Sequence, residues 1–300
     1  MNYDPAVVQK ERTMRVARRR YLPTLLAGLV VVPLAGVVAC APDPIRIVSL
    51  SPSATETLFA IDLGEQVVAA DNQSDHPPEA PDEEDLSGFQ PDSSLIAEHD
   101  PDVVVLANDV QDARGGRIIA NLEKLGIKVL LQSAPGSLDE LYDQVTRLGE
   151  ELSVQESAKA LVRRIDSEIR SISAEAPAGS KGLHYYHEVD TNYYTSTSKT
   201  FVGSVYALFG LRNIADPLDR AGTGFPQLTD DDVIEANPDL IFLADTECCG
   251  QSIATVRSRP GWLKITAVRT GSVIPLDDDL ASRWGPRVVD LARAIAAALR

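Results

Sequence analysis

Two adjacent cysteines, Cys248 and Cys249, are the residues in this sequence best suited to redox chemistry. They follow a predicted buried strand at 240–244, so the loop that carries them lies at the carboxyl edge of a sheet. In an oxidising compartment, such a pair can close a strained vicinal disulfide or remain as two thiols. No histidine nearby in the sequence completes a Cys–His pair for nucleophilic catalysis. A redox protein that uses this cysteine pair is one hypothesis. Because no Cys–His pair is found, we predict no catalytic residues.

The run His184-Tyr185-Tyr186-His187-Glu188 contains residue types that bind metals. If it forms a strand, His184 and His187 face opposite sides and cannot hold one ion together. Only two further histidines, His76 and His99, occur in the chain. We therefore expect no metal site belonging to the protein itself. A single histidine, His76 or His187, could still coordinate the metal of a bound cofactor.

The N-terminal segment has the residue types of an export signal. Residues 1–39 hold six cations and two acids, and an uncharged apolar run at 21–39 follows the arginines. Arg18-Arg19-Arg20-Tyr21-Leu22 resembles a twin-arginine signal, with tyrosine in place of the usual phenylalanine. We predict a signal peptide at 1–39.

Cys40 directly follows Val37-Val38-Ala39, as the lipidated cysteine of a lipobox does. The alternative is a membrane-spanning helix, but Pro23 and Pro33 interrupt the apolar run. We predict lipidation of Cys40, a tether at 40–44, and a protein held on the cell membrane facing outside the cytoplasm.

The composition excludes several classes of protein. The 300 residues are 44% hydrophobic and 24% charged, which is typical of a globular chain and not of a disordered one. The net charge of −16 would repel phosphates, so we expect no nucleic-acid partner. Three cysteines cannot form a disulfide framework. The length is sufficient for two lobes.

Short β-branched segments alternate with helical patterns through residues 45–152. The predicted strands are 45–50, 66–70, 102–107 and 127–132. The predicted helices are 55–62, 93–99, 111–125 and 138–152. Near-continuous apolar strands that alternate with helices predict a parallel sheet covered on both faces.

A long amphipathic pattern follows at 153–176. Ser153-Val154-Gln155-Glu156 fits a capping box at its start, and Pro177 ends it. Its apolar stripe consists of Ala158, Leu161, Val162, Ile165, Ile169 and Ile172. A helix of about 34 Å results, at about 1.5 Å per residue. Such a helix could connect two lobes, or it could be an ordinary surface helix.

The second half of the chain repeats the pattern of the first. Residues 233–244 match 96–107 as a short helix, a Pro-Asp turn and a buried strand. Further strands are predicted at 183–189 and 272–276, with helices at 200–209, 230–236, 253–257 and 280–299. The sequence thus predicts an α/β fold with an N-terminal lobe at 45–152 and a C-terminal lobe at 181–300. Both lobes are expected to contain parallel sheets, with a ligand cleft between them.

Five motifs carry a resemblance to a known family. They are the run 46–56, Ser74-Asp75-His76-Pro77-Pro78-Glu79-Ala80, Leu125-Gly126-Ile127-Lys128-Val129, Phe225-Pro226-Gln227 and Arg283-Trp284-Gly285-Pro286-Arg287. In their order and spacing, the chain resembles the substrate-binding proteins of ABC importers for cobalamin and ferric siderophores, the cobalamin binders most closely. The similarity extends from about residue 45 to 299.

The resemblance implies two Rossmann-like lobes joined by one long rigid helix, here residues 153–176. It also implies a binding protein and not an enzyme, without an intrinsic cofactor. Its ligand would lie between the lobes and pass to a permease and its ATPase. Aromatic faces for a large ring would come from Phe89, Tyr193, Tyr194, Phe225 and Trp284. Polar contacts would come from Gln90, Asn108, Gln227 and Arg283. The same loops also contain Ser51, Asp75, His76 and Glu247.

Acidic residues favour one class of ligand. The predicted cleft loops hold Asp71, Asp75, Asp109, Asp190, Glu247, Asp277, Asp278 and Asp279, but few bases. An anionic ferric siderophore requires arginines or lysines. A neutral or cationic corrinoid is therefore favoured, with a ferric siderophore or haem as the alternatives.

Permease docking departs from the family pattern. The family's two docking glutamates correspond to positions near Gly116 and Lys199, and neither residue is acidic. Neighbours such as Asp112 or Asp231 could replace them, or the partner could differ.

Overall fold

Four parallel strands form the sheet of the first lobe, in the order β2-β1-β3-β4. The computed structural model describes residues 43–81, 86–107 and 115–300. The predicted signal segment, Cys40 and Asn108 lie outside these ranges. The strands are β1 (Ile47–Leu50), β2 (Val67–Ala70), β3 (Val103–Ala107) and β4 (Lys128–Gln132). The helices of this lobe are α1 (Pro52–Ala60), α2 (Ser93–Glu98), α3 (Gly115–Lys124) and α4 (Leu138–Glu151).

The predicted long helix is α5 (Gln155–Ala174), which follows α4 after a tight turn. The capping box expected at Ser153 is wrong. Ser153 has a φ of 61° and the N-cap is Val154, without a side-chain hydrogen bond. The reason is local, because Ser153 ends α4 in the left-handed conformation while the Val154 N–H donates to the Gly149 carbonyl at 2.8 Å.

The second lobe repeats the first, with strand order β6-β5-β7-β8 and every pairing parallel. Its strands are β5 (His184–Glu188), β6 (Arg212–Asn213), β7 (Leu240–Leu243) and β8 (Val273–Pro275). Its helices are α6 (Phe201–Leu208), α7 (Asp230–Ala236), α8 (Ile253–Ser258) and α9 (Thr266–Thr270). The predicted α/β fold with two parallel sheets is confirmed. The repeated segments contain β3 and β7, which occupy the same position in their sheets.

The C-terminal segment forms two helices where the sequence pattern predicts one at 280–299. These are α10 (Asp278–Ser282) and α11 (Val288–Ala298). Arg283 between them is extended, with φ −94° and ψ 142°. Pro286 lacks an amide hydrogen and cannot continue a helix, which accounts for the break.

Alternate residues of each strand face different cores. Ile47, Val103, Tyr185 and Phe242 belong to one cluster that also contains apolar residues of α1, α4, α5, α6 and α11. Val48 and Val104 face a second cluster, and Tyr186 and Ile241 a third. The two sheets therefore share one core through the helices, and Asp43–Arg300 is one compact unit.

Within the described ranges, no helix is both long enough and apolar enough to span a bilayer.

Candidate functional site

A cavity of about 260 Å³ lies between loops of the first lobe and the segment that follows β8. We call it the recess. Its wall consists of the carboxyl ends of β1 and β3, the start of α1, the loops after β2, and residues of α10 and its C-terminal end. The lining residues are Leu50, Ser51, Pro52, Ser53, Asp71, Gln73, Gly88, Phe89, Ala107, Asp279, Ser282, Arg283 and Trp284. Four predicted site residues meet there, namely Ser51, Phe89, Arg283 and Trp284.

Buried hydroxyl groups fix the floor of the recess. Ser51 is the N-cap of α1, where its Oγ accepts from the Ala54 N–H at 3.4 Å. Thr55 Oγ1 lies 2.8 Å from Ser49 Oγ and 2.9 Å from Ser74 Oγ. The Ser74 hydroxyl in turn donates to Asp71 Oδ1 at 2.9 Å. This chain of hydrogen bonds connects β1 and α1 to the loop after β2.

Asp71 is a buried carboxylate in the wall of the recess, with 2% of its surface exposed. Its Oδ1 accepts from the Ser74 hydroxyl and also from the Gln73 N–H, at 3.1 Å. Burial raises the pKa of Asp71, against the lowering effect of these hydrogen bonds and of Arg283. A Cβ on Gly88 would lie 2.6 Å from Oδ2, so glycine is required there to leave room for the carboxylate.

Arg283 crosses from the end of α10 to the first lobe. Its guanidinium lies 2.8 Å from Asp75 Oδ1, 3.2 Å from Glu56 Oε1 and 2.8 Å from Asp279 Oδ2. It also donates to the Gln73 carbonyl at 2.9 Å. The resemblance assigns Arg283 a ligand contact. The structure places it in a network of protein carboxylates at the wall of the recess, and its ligand contact stays a prediction.

Glu56 is a residue of this network that sequence reasoning missed. It is a buried acid on α1, and its Oε1 accepts from Arg287 at 2.7 and 3.0 Å as well as from Arg283. The available signal was that Glu56 is the one charged residue of α1, but its partners are more than 220 residues away in sequence.

Trp284 contributes to both packing and the recess. Its backbone N–H donates to Ser53 Oγ at 3.1 Å, and its partly buried ring packs against the shared core. One part of Trp284 also lines the recess. The break between α10 and α11 produces this placement.

Exposed aromatic side chains occur on both lobes. Phe89, at the recess, is 77% exposed, and Phe225 on the second lobe is 55% exposed. Tyr194 is also exposed and forms an antiparallel bridge with Gln227, whose side-chain amide donates to the Asn192 carbonyl at 3.1 Å. These rings expose flat apolar surface at the carboxyl ends of the strands, as a ring-shaped ligand requires.

Tyr193 has a different environment. Its ring stacks on Trp262 with 5.9 Å between centroids, and the Arg259 guanidinium lies 5.4 Å from its centre. Its φ of 63° turns this side chain inward while Tyr194 points outward. Tyr193 thus packs within the second lobe, and its predicted ligand contact stays a prediction.

The remaining predicted site residues do not line the recess. Asp75 and Gln90 are exposed and His76 is half-buried. Glu247 is exposed, and its backbone N–H donates to Asp278 Oδ2 at 3.1 Å. Of these, Asp75 reaches the recess through its ion pair with Arg283.

The cysteine pair consists of two exposed, free thiols, without the vicinal disulfide that was one alternative. Desolvation, followed by the neighbouring Cys249 thiol and the Asp278 carboxylate, raises the pKa of Cys248 to about 12. A thiolate at Cys248 is therefore disfavoured at neutral pH, which argues against its use as a nucleophile.

The histidine run behaves as its strand periodicity predicts. His184 is exposed, whereas His187 is buried with its Nδ1 3.0 Å from the Tyr206 hydroxyl. Burial lowers the pKa of His187 to about 4, and the side chain is not available to a bound cofactor. Among the residues that the structure describes, no group of three or more potential ligands could hold a metal ion.

A second buried acidic group lies at the carboxyl end of β5 in the second lobe. Glu188 pairs with Arg259 through both oxygens, at 2.6 and 2.5 Å. Asp245 is fully buried, and neither of its oxygens has a hydrogen-bond partner among the described residues. Burial and the neighbouring Glu188 raise the pKa of Asp245.

Two α/β lobes that share a core and border a recess define a ligand-binding protein. The family profile described as periplasmic binding protein matches residues 47–280. The chain therefore belongs to the periplasmic binding protein family, and the resemblance seen in its motifs is confirmed.

Individual relatives agree with this assignment. The chain is 31% identical over 252 residues to an uncharacterized ABC transporter substrate-binding lipoprotein, YvrC, of Bacillus subtilis, covering 83% of this chain and 77% of the relative. It is 24% identical over 255 residues to a cobalamin-binding protein of Halobacterium salinarum, covering 83% and 67%. The solved periplasmic heme-binding protein RhuT of Roseiflexus superposes with a TM-score of 0.72 at 24% identity, covering 86% and 100%. At that identity, the superposition shows the fold.

Proposed function

We propose that the chain is the substrate-binding component of an ABC importer and that its cargo is a corrinoid. The family profile and the 31% identical substrate-binding lipoprotein support the importer assignment. The relative that binds cobalamin supports the cargo. In this function the protein captures the ligand and delivers it to a permease and its ATPase, and it changes no covalent bond.

The observation that carries the cargo assignment is the chemistry of the recess. Phe89 presents a nearly free aromatic face beside it, and Phe225 and Tyr194 present two more on the second lobe. A corrin ring is broad, largely apolar and edged with amides, so it requires such faces together with a few hydrogen-bonding groups. Ser51, Asp71 and Gln73 provide hydroxyl, carboxylate and amide groups at the same wall.

The charges around the recess separate a corrinoid from the alternative cargoes. Two carboxylates line it (Asp71 and Asp279), and two more (Glu56 and Asp75) contact the lining Arg283, against the two guanidinium groups of Arg283 and Arg287. Both arginines are paired with these acids. A haem with its propionates, or an anionic ferric siderophore, would meet net negative charge here.

Haem is the second candidate because the fold is shared with a heme-binding protein. The redox hypothesis rests on Cys248 and Cys249, and the raised pKa of Cys248 disfavours it. If the pair has no part in function, the variant Cys248→Ser with Cys249→Ser binds its cargo within about threefold of wild type, a difference below about 1 kcal/mol.

A lipid anchor would keep the protein at the membrane, close to its permease. We propose removal of residues 1–39 as an export signal and lipidation of Cys40, which would anchor the protein outside the cytoplasm. The sequence features of the segment support this, as does the description of the 31% identical relative as a lipoprotein. Mass spectrometry of the protein extracted from membranes tests it, because Cys40→Ser should abolish both the lipid mass and the membrane association.

The test of the cargo is calorimetric titration of the purified protein with cobalamin, dicyanocobinamide, haem and a ferric siderophore. We expect a corrinoid to bind most tightly, with a dissociation constant near the nanomolar range, or about −12 kcal/mol. Tighter binding of haem would replace the corrinoid with haem as the cargo. A complete absence of binding would remove both cargo assignments.

A further inference from the structure

We propose that Asp71 recognises the polar groups at the edge of the cargo. It accepts a hydrogen bond from an amide N–H or a cationic group of the ligand and rejects a ligand that presents a carboxylate at that position. The inference rests on the proposed function, because it specifies which chemical form of a corrinoid the recess admits.

The first support is the geometry of the carboxylate. Two donors, the Ser74 hydroxyl and the Gln73 N–H, both bind Oδ1 and thereby fix the orientation of the group. Oδ2 points toward Gly88, which is also in the wall of the recess, and none of the described residues donates to it. The side chain has only 2% of its surface exposed and lines the recess, so a ligand donor placed there would reach this free acceptor.

The second support is the state of the nearest cation. Arg283 is the guanidinium that lines the recess, and Glu56, Asp75 and Asp279 already engage it. It is therefore not free to neutralise an anionic ligand next to Asp71. A ligand carboxylate there would meet like charge, whereas an amide N–H would form a hydrogen bond to a charged acceptor.

The same geometry predicts that asparagine at this position reverses the selectivity. Because both donors require an oxygen at the Oδ1 position, an asparagine side chain must place its NH₂ group where Oδ2 lies now. The recess would then present a donor in place of an acceptor. Asp71→Asn should thus weaken the binding of an amide-edged ligand and strengthen the binding of a carboxylate-edged one. The substitution makes almost no change in side-chain volume.

The test compares two ligands that differ only at the periphery of the ring. Dicyanocobinamide carries about six primary amides and a secondary amide with an aminopropanol arm, and cobyrinic acid in its dicyano form carries a carboxylate at each of these positions. Dissociation constants are measured by calorimetry at fixed ionic strength for wild type and Asp71→Asn. The control is Asp143→Asn, which makes the same charge change on the exposed face of α4.

We expect wild type and Asp143→Asn to prefer the amide form by about tenfold or more, as one hydrogen bond to a charged group implies. In Asp71→Asn the preference should fall about tenfold below that of Asp143→Asn, because the other carboxylates of the ligand and of the wall are the same in both variants. An unchanged preference in Asp71→Asn, with corrinoid binding intact, would overturn the role of Asp71 and leave the proposed function in place.

Two further results keep the inference testable if the variant fails to fold. Equal affinity of wild type for the two ligands contradicts the inference without any substitution. If wild type binds neither corrinoid but does bind haem or a siderophore, the proposed cargo itself is wrong, and the inference about its edge falls with it.

Discussion

Glu56 on α1 and Arg287 at the start of α11 are 231 positions apart in sequence, yet their side chains meet with 2.7 Å between Oε1 and Nη2. Arg283 approaches the same oxygen at 3.2 Å. The side chain of Glu56 is 2% exposed, so one buried carboxylate connects the first lobe to the C-terminal segment. Because α11 also packs in the shared core, this contact fixes the wall of the recess to the body of the protein.

Glu56→Gln should destabilise the fold strongly. It removes the most buried of the three carboxylates that hold Arg283 and Arg287 and leaves Asp75 and Asp279 as their counter-charges, so we expect a loss of about 2 kcal/mol or more. Urea unfolding measures the change in the free energy of unfolding. Glu168→Gln is the matched control, because Glu168 pairs with Arg293 on the surface and its loss should cost less than about 1 kcal/mol. Equal losses in the two variants would contradict the prediction.

Gly149 allows α4 and α5 to cross closely. A Cβ at this position would lie 2.3 Å from the Ala158 Cβ, so Gly149→Ala should separate the two helices and cost about 1–3 kcal/mol. The control is Gly116→Ala in α3, where the added Cβ meets no described atom within 4 Å. Because alanine is the better helix former, the control should be neutral or more stable by about 0.5–1 kcal/mol. The midpoint temperature of thermal unfolding should therefore fall in Gly149→Ala and should stay unchanged or rise in Gly116→Ala.

Much of the fold could be predicted from the sequence because its signals are local. The repeated helix–Pro-Asp–strand pattern identifies β3 and β7, and the apolar stripe of α5 is buried at Ala158, Leu161, Ile165 and Ile169. The two-residue strand β6 is too short to show any periodicity. The break at Arg283 was missed because the apolar pattern continues on both sides of Pro286.

The site was less predictable because its contacts are between distant parts of the chain. Exposed aromatic residues in loops, such as Phe89 and Phe225, were found from their neighbours in sequence. The roles of Arg283 and Glu56 depend on a contact between the two ends of the chain. The inward turn of Tyr193 depends on a left-handed backbone that the adjacent pair Tyr193-Tyr194 does not reveal.

Asp245 should make the stability of the protein depend on pH. Burial and Glu188 raise its pKa in the folded state, while Arg259 lowers it and Asp278 raises it less. Above about pH 4 the unfolded chain therefore releases a proton that the folded state still holds. The free energy of unfolding therefore falls as the pH rises from about 4 to the raised pKa that Asp245 has in the folded state.

Asp245→Asn removes that titration. We expect the variant to gain stability relative to wild type between pH 5 and pH 8, by about 1 kcal/mol or more, which corresponds to about one pKa unit. Urea unfolding at the two pH values measures the difference. Asp143→Asn, an exposed aspartate on α4, should show the same difference from wild type at both values. A pH-independent effect of Asp245→Asn would contradict the raised pKa.

Substitution of Phe89 or Phe225 should weaken ligand binding without lowering the stability of the fold. Their side chains are 77% and 55% exposed, so Phe89→Ala and Phe225→Ala should leave the free energy of unfolding within about 0.5 kcal/mol of wild type. If the rings cover the faces of a corrin, each substitution should weaken the binding of dicyanocobinamide about tenfold, equivalent to about 1.4 kcal/mol. Leu125→Ala is the control, because Leu125 is 59% exposed but follows α3 at the amino end of β4, on the edge of the sheet opposite the recess. Calorimetry and urea unfolding on the same preparations measure both quantities. Loss of stability without loss of affinity in both phenylalanine variants would assign these rings to packing, and the cargo would have to be held elsewhere.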